Sequence, residues 1–121
     1  MTRRVLIVED QEDNRQILRD LLAHAGYEVI EVGDGAQALP AASVHRPDVI
    51  LMDIQLPLVD GYEATRRIKA DPTLKHIPII VVTSYALSGD ESVARAAGCD
   101  AYIAKPFSPR ALLAKIREYV P

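Results

Sequence analysis

Short, continuously apolar runs alternate about five times along this chain with longer segments in which apolar residues recur at helical spacing. The run from Val5 to Val8 is typical of a parallel strand buried on both faces, because it lacks the polar alternation of a half-exposed strand. Repeated strand–helix alternation predicts a parallel sheet with helices on both of its faces. The sequence therefore predicts a doubly wound α/β fold.

Five strands are predicted, at residues 5–8, 27–32, 48–52, 77–82 and 101–104. The second has mixed polarity, which suits the edge of a sheet. Each helical segment carries apolar residues on one stripe, which is expected to face the sheet. These residues are Ile17, Leu18, Leu21, Leu22 and Ala25; Ala36, Ala38, Leu39, Ala42 and Val44; Tyr62, Ala64 and Ile68; Val93, Ala94 and Ala97; and Leu112, Leu113, Ile116 and Tyr119.

Local signals mark where the helices begin and end. Gly26 and Gly98 are placed to end the first and fourth helices, since glycine tolerates the left-handed conformation found there. The start signals are Asp34, the pairs Asp60/Glu63 and Ser88/Glu91, and Ser108 followed by Pro109. Pro40 lies inside the second helical pattern and predicts a kink or a shortened helix, because proline lacks a donor and clashes with the preceding turn.

Length and composition restrict the class of protein. The 121 residues fit one domain, residues 1–121, since compact domains most often have about 100–150 residues. The formal charge of −3 does not favour nucleic-acid binding, and no apolar run approaches the roughly 20 residues that cross a bilayer. Cys99 is the only cysteine, so no internal disulfide can form and a reducing cytoplasm is the expected location.

Four of the apolar runs end in residues that carry chemistry. Glu9 and Asp10 follow the first run, Asp53 the third, Thr83 the fourth and Lys105 the fifth. The carboxyl ends of parallel strands meet at one edge of the sheet, where ligands bind at the switch in strand order. Taken singly, each residue also fits a turn, a cap or the surface, but those roles do not require all of them at one edge. Together they can bind a divalent cation and accept a phosphoryl group.

Magnesium fits this set best, because converging carboxylates repel one another and Mg²⁺ prefers hard oxygen ligands beside phosphate. A dedicated Ca²⁺ loop fits less well, since the acidic spacing differs from the 12-residue pattern. Zn²⁺ is poorly supported, because His24, His45 and His76 lie on separate predicted elements. Lys105 precedes Pro106, and a cis peptide bond between them is predicted.

The chain resembles the receiver domain of bacterial response regulators over almost its whole length. The matching segments are Val-Glu-Asp at 8–10, Met-Asp-Ile-Gln-Leu-Pro at 52–57, Asp60-Gly61, Val-Thr-Ser at 82–84 and Lys105-Pro106-Phe107. The segment 89–100 resembles single-domain receivers of the DivK type and receivers attached to hybrid kinases. The resemblance implies the strand order 2-1-3-4-5, with five helices on the two faces of the sheet.

The resemblance also implies roles for the residues at the edge. Asp53 would accept a phosphoryl group from a phosphohistidine on a sensor histidine kinase or a histidine phosphotransfer protein. Asp10, Asp53 and the backbone carbonyl of Gln55 would bind Mg²⁺, and Glu9 would act through a water. Thr83 and Lys105 would each contact a phosphoryl oxygen.

A conformational switch follows from the same resemblance. Thr83 would move toward the phosphoryl group and Tyr102 would turn inward, which would reshape a protein-binding surface within residues 84–119. Tyr85 and Gln55 flank the expected pocket and would tune water access. Such a protein catalyses only its own phosphorylation and dephosphorylation and is not otherwise an enzyme. A monomer or a weak phosphorylation-dependent dimer is expected, with a downstream protein as its target.

Three other functions share parts of this pattern. A flavodoxin-like carrier would need a phosphate-binding loop after the first strand, where this chain has an acidic segment instead. An aspartate-nucleophile phosphatase usually has a second Asp two residues after the nucleophile, and position 55 is Gln. A degenerate receiver would have lost Asp53, an acid or Lys105. The initial Met and short tail favour a free-standing protein over a piece of a hybrid kinase.

Overall fold

The computed structural model describes residues 2–83 and 90–120 and contains a five-stranded sheet in which every neighbouring pair is parallel. The strands are β1 (Arg4–Val8), β2 (Glu28–Val32), β3 (Val49–Met52), β4 (Ile79–Thr83) and β5 (Ala101–Ala104). Their order across the sheet is β2-β1-β3-β4-β5. The predicted fold, the strand order and the edge position of the second strand are therefore confirmed.

Five α-helices cover the two faces of the sheet within the described ranges. They are α1 (Glu12–His24), α2 (Ala38–His45), α3 (Gly61–Ala70), α4 (Asp90–Ala96) and α5 (Pro109–Tyr119). The buried residues of α1 and α5 form one core with one face of the sheet, and those of α2, α3 and α4 form a second core with the other. No helix in the described part of the chain is both long enough and apolar enough to cross a membrane.

Side-chain caps begin three of the helical segments where the sequence predicts them. Asp34 accepts a hydrogen bond from the Gln37 amide, and Asp60 accepts one from the Glu63 amide. Ser108 accepts a hydrogen bond from an amide in the first turn of α5, whose first residue is a proline. These contacts satisfy amides that have no partner inside the helix. Ser88, the predicted cap of α4, lies outside the described residues.

Pro40 shortens the second helix by displacing its start. Asp34 begins a 3₁₀ turn, Gly35–Gln37, and the α-helix itself begins at Ala38. Pro40 then occupies the first turn, where an amide would have no intrahelical acceptor, so the missing donor costs nothing there. The prediction of a shortened helix is confirmed, and the helix has 8 residues.

Some residues of the predicted apolar stripes face solvent. Ile17 is 62% exposed and Val44 is 75% exposed, while Val93 and Tyr119 are also exposed. The expectation that each whole stripe faces the sheet was wrong at these positions. In α1 only Leu18 and Leu22 are buried. The apolar stripe of this helix is wider than the face that packs against the sheet, so its outer residues remain exposed.

Candidate functional site

Three carboxylates converge at the carboxyl edge of the sheet. Glu9 and Asp10 follow β1, and Asp53 follows the neighbouring strand β3. The Asp53 amide donates to the Val8 carbonyl at 3.0 Å, which extends the pairing of the two strands to the acids themselves. One carboxylate oxygen from each acid lies within 4.8 Å of those of the other two. The sequence prediction of a single acidic cluster is thus matched by the geometry.

Lys105 enters this cluster from the end of β5. Its ammonium lies 2.9 Å from Glu9 Oε1 and 3.3 Å from Asp53 Oδ2. Its backbone amide donates to the Thr83 carbonyl at 2.7 Å, so the ends of β4 and β5 are joined beside the site. The peptide bond between Lys105 and Pro106 is cis, as predicted.

The surroundings of Lys105 favour its charged form. Partial burial alone would lower the pKa of the ammonium, but the hydrogen bond to Glu9 and the negative charges of Asp53 and Glu9 raise the pKa above 10.5. The lysine is therefore a permanent cation at neutral pH. It places a fixed positive charge beside the carboxylates of Glu9 and Asp53.

Glu9 is buried and held by protein groups on both of its oxygens. Its side chain is 2% exposed; Oε1 accepts from Lys105, and Oε2 accepts from the Gln11 amide at 3.3 Å. The carbonyl of Glu9 accepts from the Arg15 guanidinium at 2.7 Å, and Arg15 also pairs with Glu12 and Glu31. These contacts make Glu9 an anchor for Lys105 as well as a member of the acidic cluster.

The other predicted site residues occupy neighbouring positions. Thr83 is the last residue of β4 and is fully buried, and it pairs with Ala104 of β5. Tyr102 is half-buried in β5 and packs against the core that contains α3 and α4. Gln55 is exposed in the loop that follows Asp53. Tyr85 lies outside the described residues.

The donor set of the cluster matches a hard divalent cation. Asp10 and Asp53 offer carboxylate oxygens that lie near each other at a partly open edge, which suits Mg²⁺ with several of its waters retained. Among the described residues, no His or Cys belongs to a group that could hold a metal. The candidate ligands of this cluster are therefore all carboxylate oxygens.

An apolar groove of about 510 Å³ leads away from the acidic cluster between α1 and α5. Glu9 and Lys105 line it at the end near the cluster. Its apolar lining consists of Ile17, Leu18, Leu21, Pro106, Phe107 and Pro109. The groove explains why Ile17 faces solvent, since nothing in the described chain covers this side of α1.

Sequence analysis missed Arg15, whose guanidinium reaches the Glu9 carbonyl, and the groove around Ile17. No sequence signal identifies the contact of Arg15, because a long side chain on α1 can point in several directions. Helical spacing alone assigns Ile17 to the core, although its side chain is 62% exposed. An apolar stripe wider than one packing face indicates either a second helix or an open groove.

Known proteins resemble this chain over nearly its whole length. A family profile described as the response regulator receiver domain matches residues 5–117. The polar-differentiation response regulator DivK of Brucella ovis is 49% identical over 120 residues, which cover 99% of this chain and 98% of the relative.

Solved structures show the same likeness. The receiver domain of the sensor histidine kinase PA1611 from Pseudomonas aeruginosa, crystallised with a magnesium ion in its active-site cleft, has a TM-score of 0.92 at 39% identity and covers 99% of this chain and 98% of its own. The chemotaxis protein CheY4 of Vibrio cholerae has a TM-score of 0.92 at 31% identity, with 98% and 99% covered. The chain therefore belongs to the response regulator receiver domain family of two-component signalling.

Proposed function

We propose that Asp53 accepts a phosphoryl group from a phosphohistidine on a sensor histidine kinase or a histidine phosphotransfer protein, and that Mg²⁺ is required. One observation carries this proposal: the Asp53 carboxylate lies among two other acids and 3.3 Å from the ammonium of Lys105. A structural cap would need neither the acids nor the lysine. The Asp53 side chain is 13% exposed, so a reacting phosphorus can approach its carboxylate from solvent.

The transfer needs few groups. A carboxylate oxygen of Asp53 attacks the phosphorus in line with the leaving imidazole. The P–N bond breaks, its electron pair stays on the imidazole nitrogen, and an acyl phosphate remains on Asp53. Charge on the equatorial oxygens must be neutralised during this step. Lys105 supplies a fixed positive charge for one oxygen, and Thr83 supplies a hydroxyl donor for another.

Asp10, Asp53 and the backbone carbonyl of Gln55 would hold the magnesium, with Glu9 acting through a water. When bound, Mg²⁺ neutralises charge on the phosphoryl oxygens and orients the group for transfer. The indirect role of Glu9 agrees with its geometry, because both of its oxygens already accept hydrogen bonds from Lys105 and Gln11.

Phosphorylation would then change the surface formed by α4, β5 and α5. We propose that Thr83 moves toward the phosphoryl group and that the half-buried Tyr102 turns inward beside it. The affected surface lies within residues 84–119, of which residues 90–119 belong to the described chain. A downstream protein would bind this surface in one state and not in the other. The protein would act as a monomer or a weak phosphorylation-dependent dimer.

The phosphohistidine donor would dock in the groove between α1 and α5. A phosphohistidine must bring its phosphorus to Asp53 while the surrounding surface of the donor rests on this protein. The groove begins beside Glu9 and Lys105, and Ile17 offers an apolar contact that is 62% exposed. An apolar helix face on the donor would be complementary to it.

Other activities have less support. The hypothesis of a flavodoxin-like carrier does not agree with membership of the receiver family. A phosphatase acting on other substrates would need a general acid near Asp53, and the residue two positions later is Gln55. The protein would therefore catalyse only its own phosphorylation and dephosphorylation.

Acetyl phosphate labelling tests the proposal directly. Intact-mass measurement after incubation with acetyl phosphate and Mg²⁺ should show a gain of one phosphoryl group in the parent. Asp53→Asn should gain none, and the matched control Asp20→Asn, which alters an exposed acid on α1, should gain the group normally. Omitting Mg²⁺ should abolish labelling of the parent. An unlabelled parent would instead identify a degenerate receiver, and labelling of Asp53→Asn would place the acceptor elsewhere.

A further inference from the structure

Gly35 touches the loop that follows Asp53 more closely than any side chain would permit. It is buried in the 3₁₀ turn before α2. A Cβ atom at this position would lie 1.6 Å from the carbonyl oxygen of Val59 and 2.6 Å from its carbonyl carbon. Both are backbone atoms, so no side-chain rotation can make room. An added methyl group must shift the loop or the turn of Gly35, and the hydrogen bond from the Gly35 amide to the Pro57 carbonyl joins these two segments.

The need for glycine at position 35 does not come from backbone conformation. The positive-φ glycines of the described chain are Gly26 and Gly98, and Gly35 is not among them. Alanine could therefore adopt the Gly35 backbone angles without entering the left-handed region. The close approach to Val59 is the reason for glycine here, which makes the residue informative about the loop.

The touched loop comprises residues 53–60 and is fixed at several points. The Pro57 carbonyl accepts from the amides of Gly35 at 3.3 Å and Val59 at 2.8 Å. At the far end, the Gly61 amide donates to the Ile54 carbonyl at 2.8 Å. A Cβ atom on Gly61 would lie 1.9 Å from the Asp53 carbonyl oxygen, so the backbone at this end is packed closely against Asp53.

A displacement of Val59 reaches the segment between Ile54 and Pro57 through the hydrogen bond from its amide to the Pro57 carbonyl. Ile54 is buried, and its amide donates to the Asp53 side chain at 2.6 Å. Gln55 lies in the exposed stretch between these anchors. It is the residue whose backbone carbonyl would complete the magnesium ligands under the proposed function.

We propose that Gly35 is a positioning residue for the divalent-cation site: by admitting Val59 to backbone contact, it sets the loop that presents the Gln55 carbonyl. The inference rests on the proposed function, since it needs Mg²⁺ at Asp10 and Asp53. Under this proposal, a residue in the connection between β2 and α2, which does not itself touch the metal, affects Mg²⁺ affinity. Groups that orient metal ligands without touching the metal commonly affect affinity about 10–100-fold.

The test measures Mg²⁺ affinity without any phosphoryl donor. Isothermal titration calorimetry, with an amide-shift titration by NMR as a second readout, should give a dissociation constant about tenfold weaker for Gly35→Ala than for the parent. Ala36→Ser is the matched control, because Ala36 is an exposed residue of the same 3₁₀ turn. Its Mg²⁺ affinity should remain close to that of the parent. The NMR spectrum of Gly35→Ala also shows whether the variant is folded. If it is folded, its weaker Mg²⁺ binding is not a result of unfolding.

A second variant covers the case in which Gly35→Ala does not fold. Val59→Gly removes a partly buried side chain and loosens the same contact without adding atoms, so it should also weaken Mg²⁺ binding, by a smaller factor. A folded Gly35→Ala that binds Mg²⁺ within about twofold of the parent would overturn the inference. If Gly35→Ala does not fold, parental affinity in Val59→Gly would overturn it. Failure of the parent itself to bind Mg²⁺ would count against the proposed function instead.

Discussion

The ammonium of Lys105 lies 2.9 Å from the buried carboxylate of Glu9, closer than the 3.3 Å that separates it from the carboxylate of Asp53. Glu9 is 2% exposed, so its charge depends on this cation and on the Gln11 amide. A phosphoryl group on Asp53 would compete for the same ammonium. In the unmodified protein, Glu9 therefore holds the ammonium beside Asp53.

Loss of Lys105 should destabilise the protein through Glu9. Lys105→Met leaves a buried carboxylate without its cation, and urea unfolding in EDTA should show a loss on the order of 2 kcal/mol. Glu9→Gln/Lys105→Met should recover much of this loss, because the amide needs no counter-ion. The two single variants and the double variant form a cycle that isolates the pair. Equal unfolding free energies for Lys105→Met and the parent would contradict this account.

The groove between α1 and α5 should matter for transfer from a protein donor but not from a small molecule. Ile17→Asp places a charge in the apolar groove and should slow transfer from a phosphorylated histidine phosphotransfer protein by about tenfold or more, the effect of losing an interface anchor. Labelling by acetyl phosphate should be unchanged, because that donor needs no docking surface. Several phosphorylated histidine phosphotransfer proteins are compared, and the one that transfers to the parent fastest is used as the donor.

Val44→Asp is the matched control for this experiment. Val44 is also an exposed β-branched residue on a helix, at 75% exposure, but it belongs to α2 on the opposite face of the sheet. Its transfer rate should equal that of the parent. Equal slowing in both variants would show a general effect of added charge and would remove the groove from the docking site.

Leu58 should be a site where substitution stabilises the protein. Its φ of +69° lies in the left-handed region, and its side chain is 83% exposed, so burial does not offset the backbone cost. Leu58→Asn should raise the free energy of unfolding by about 0.5–1 kcal/mol, since Asn tolerates this conformation better. Leu58→Ala is the control, because it removes the apolar side chain but keeps a Cβ. If Leu58→Ala stabilises the protein as much as Leu58→Asn does, the cause is the removal of an exposed apolar side chain and not the relief of the backbone conformation.

The sequence predicts most of the fold and the acidic edge for one physical reason. Parallel strands bring their carboxyl ends to one edge, so residues far apart in the chain, such as Asp10 and Asp53, become neighbours once their strands pair. The apolar runs also identify the buried strands, because a strand covered on both faces carries little polar alternation. Start and end signals such as Asp60 and Gly26 act locally and need no tertiary information.

The remaining features depend on contacts that periodicity does not encode. Helical spacing places Ile17 on the same stripe as Leu18 and Leu21, but it cannot show which part of the stripe another element covers. The contact of Arg15 with the Glu9 carbonyl depends on the path of one flexible side chain. The approach of Gly35 to Val59 joins two loops separated by a strand and a helix. Such features become visible only when the elements are packed.

The thiol of Cys99 should be unreactive in the folded protein and should weaken folding at high pH. Burial raises the pKa of this thiol above 9.0 and outweighs the opposing charge of Arg95, so the folded state holds the proton more tightly than the unfolded state does. The stability linked to this proton is complete below the unfolded pKa and is lost as pH rises above it.

Two measurements check this behaviour. At about pH 8, a disulfide reagent should label native protein slowly and urea-unfolded protein quickly, since the thiolate is the nucleophile. The quantity to follow is the unfolding free energy of the parent minus that of Cys99→Ala. This difference should be constant up to about pH 8 and should then fall by at most about 1.4 kcal/mol per pH unit. Groups common to both proteins cancel in that difference. A difference that rises with pH would mean that the thiolate is stabilised by Arg95, and rapid labelling of the native protein would mean that the thiol is open to solvent.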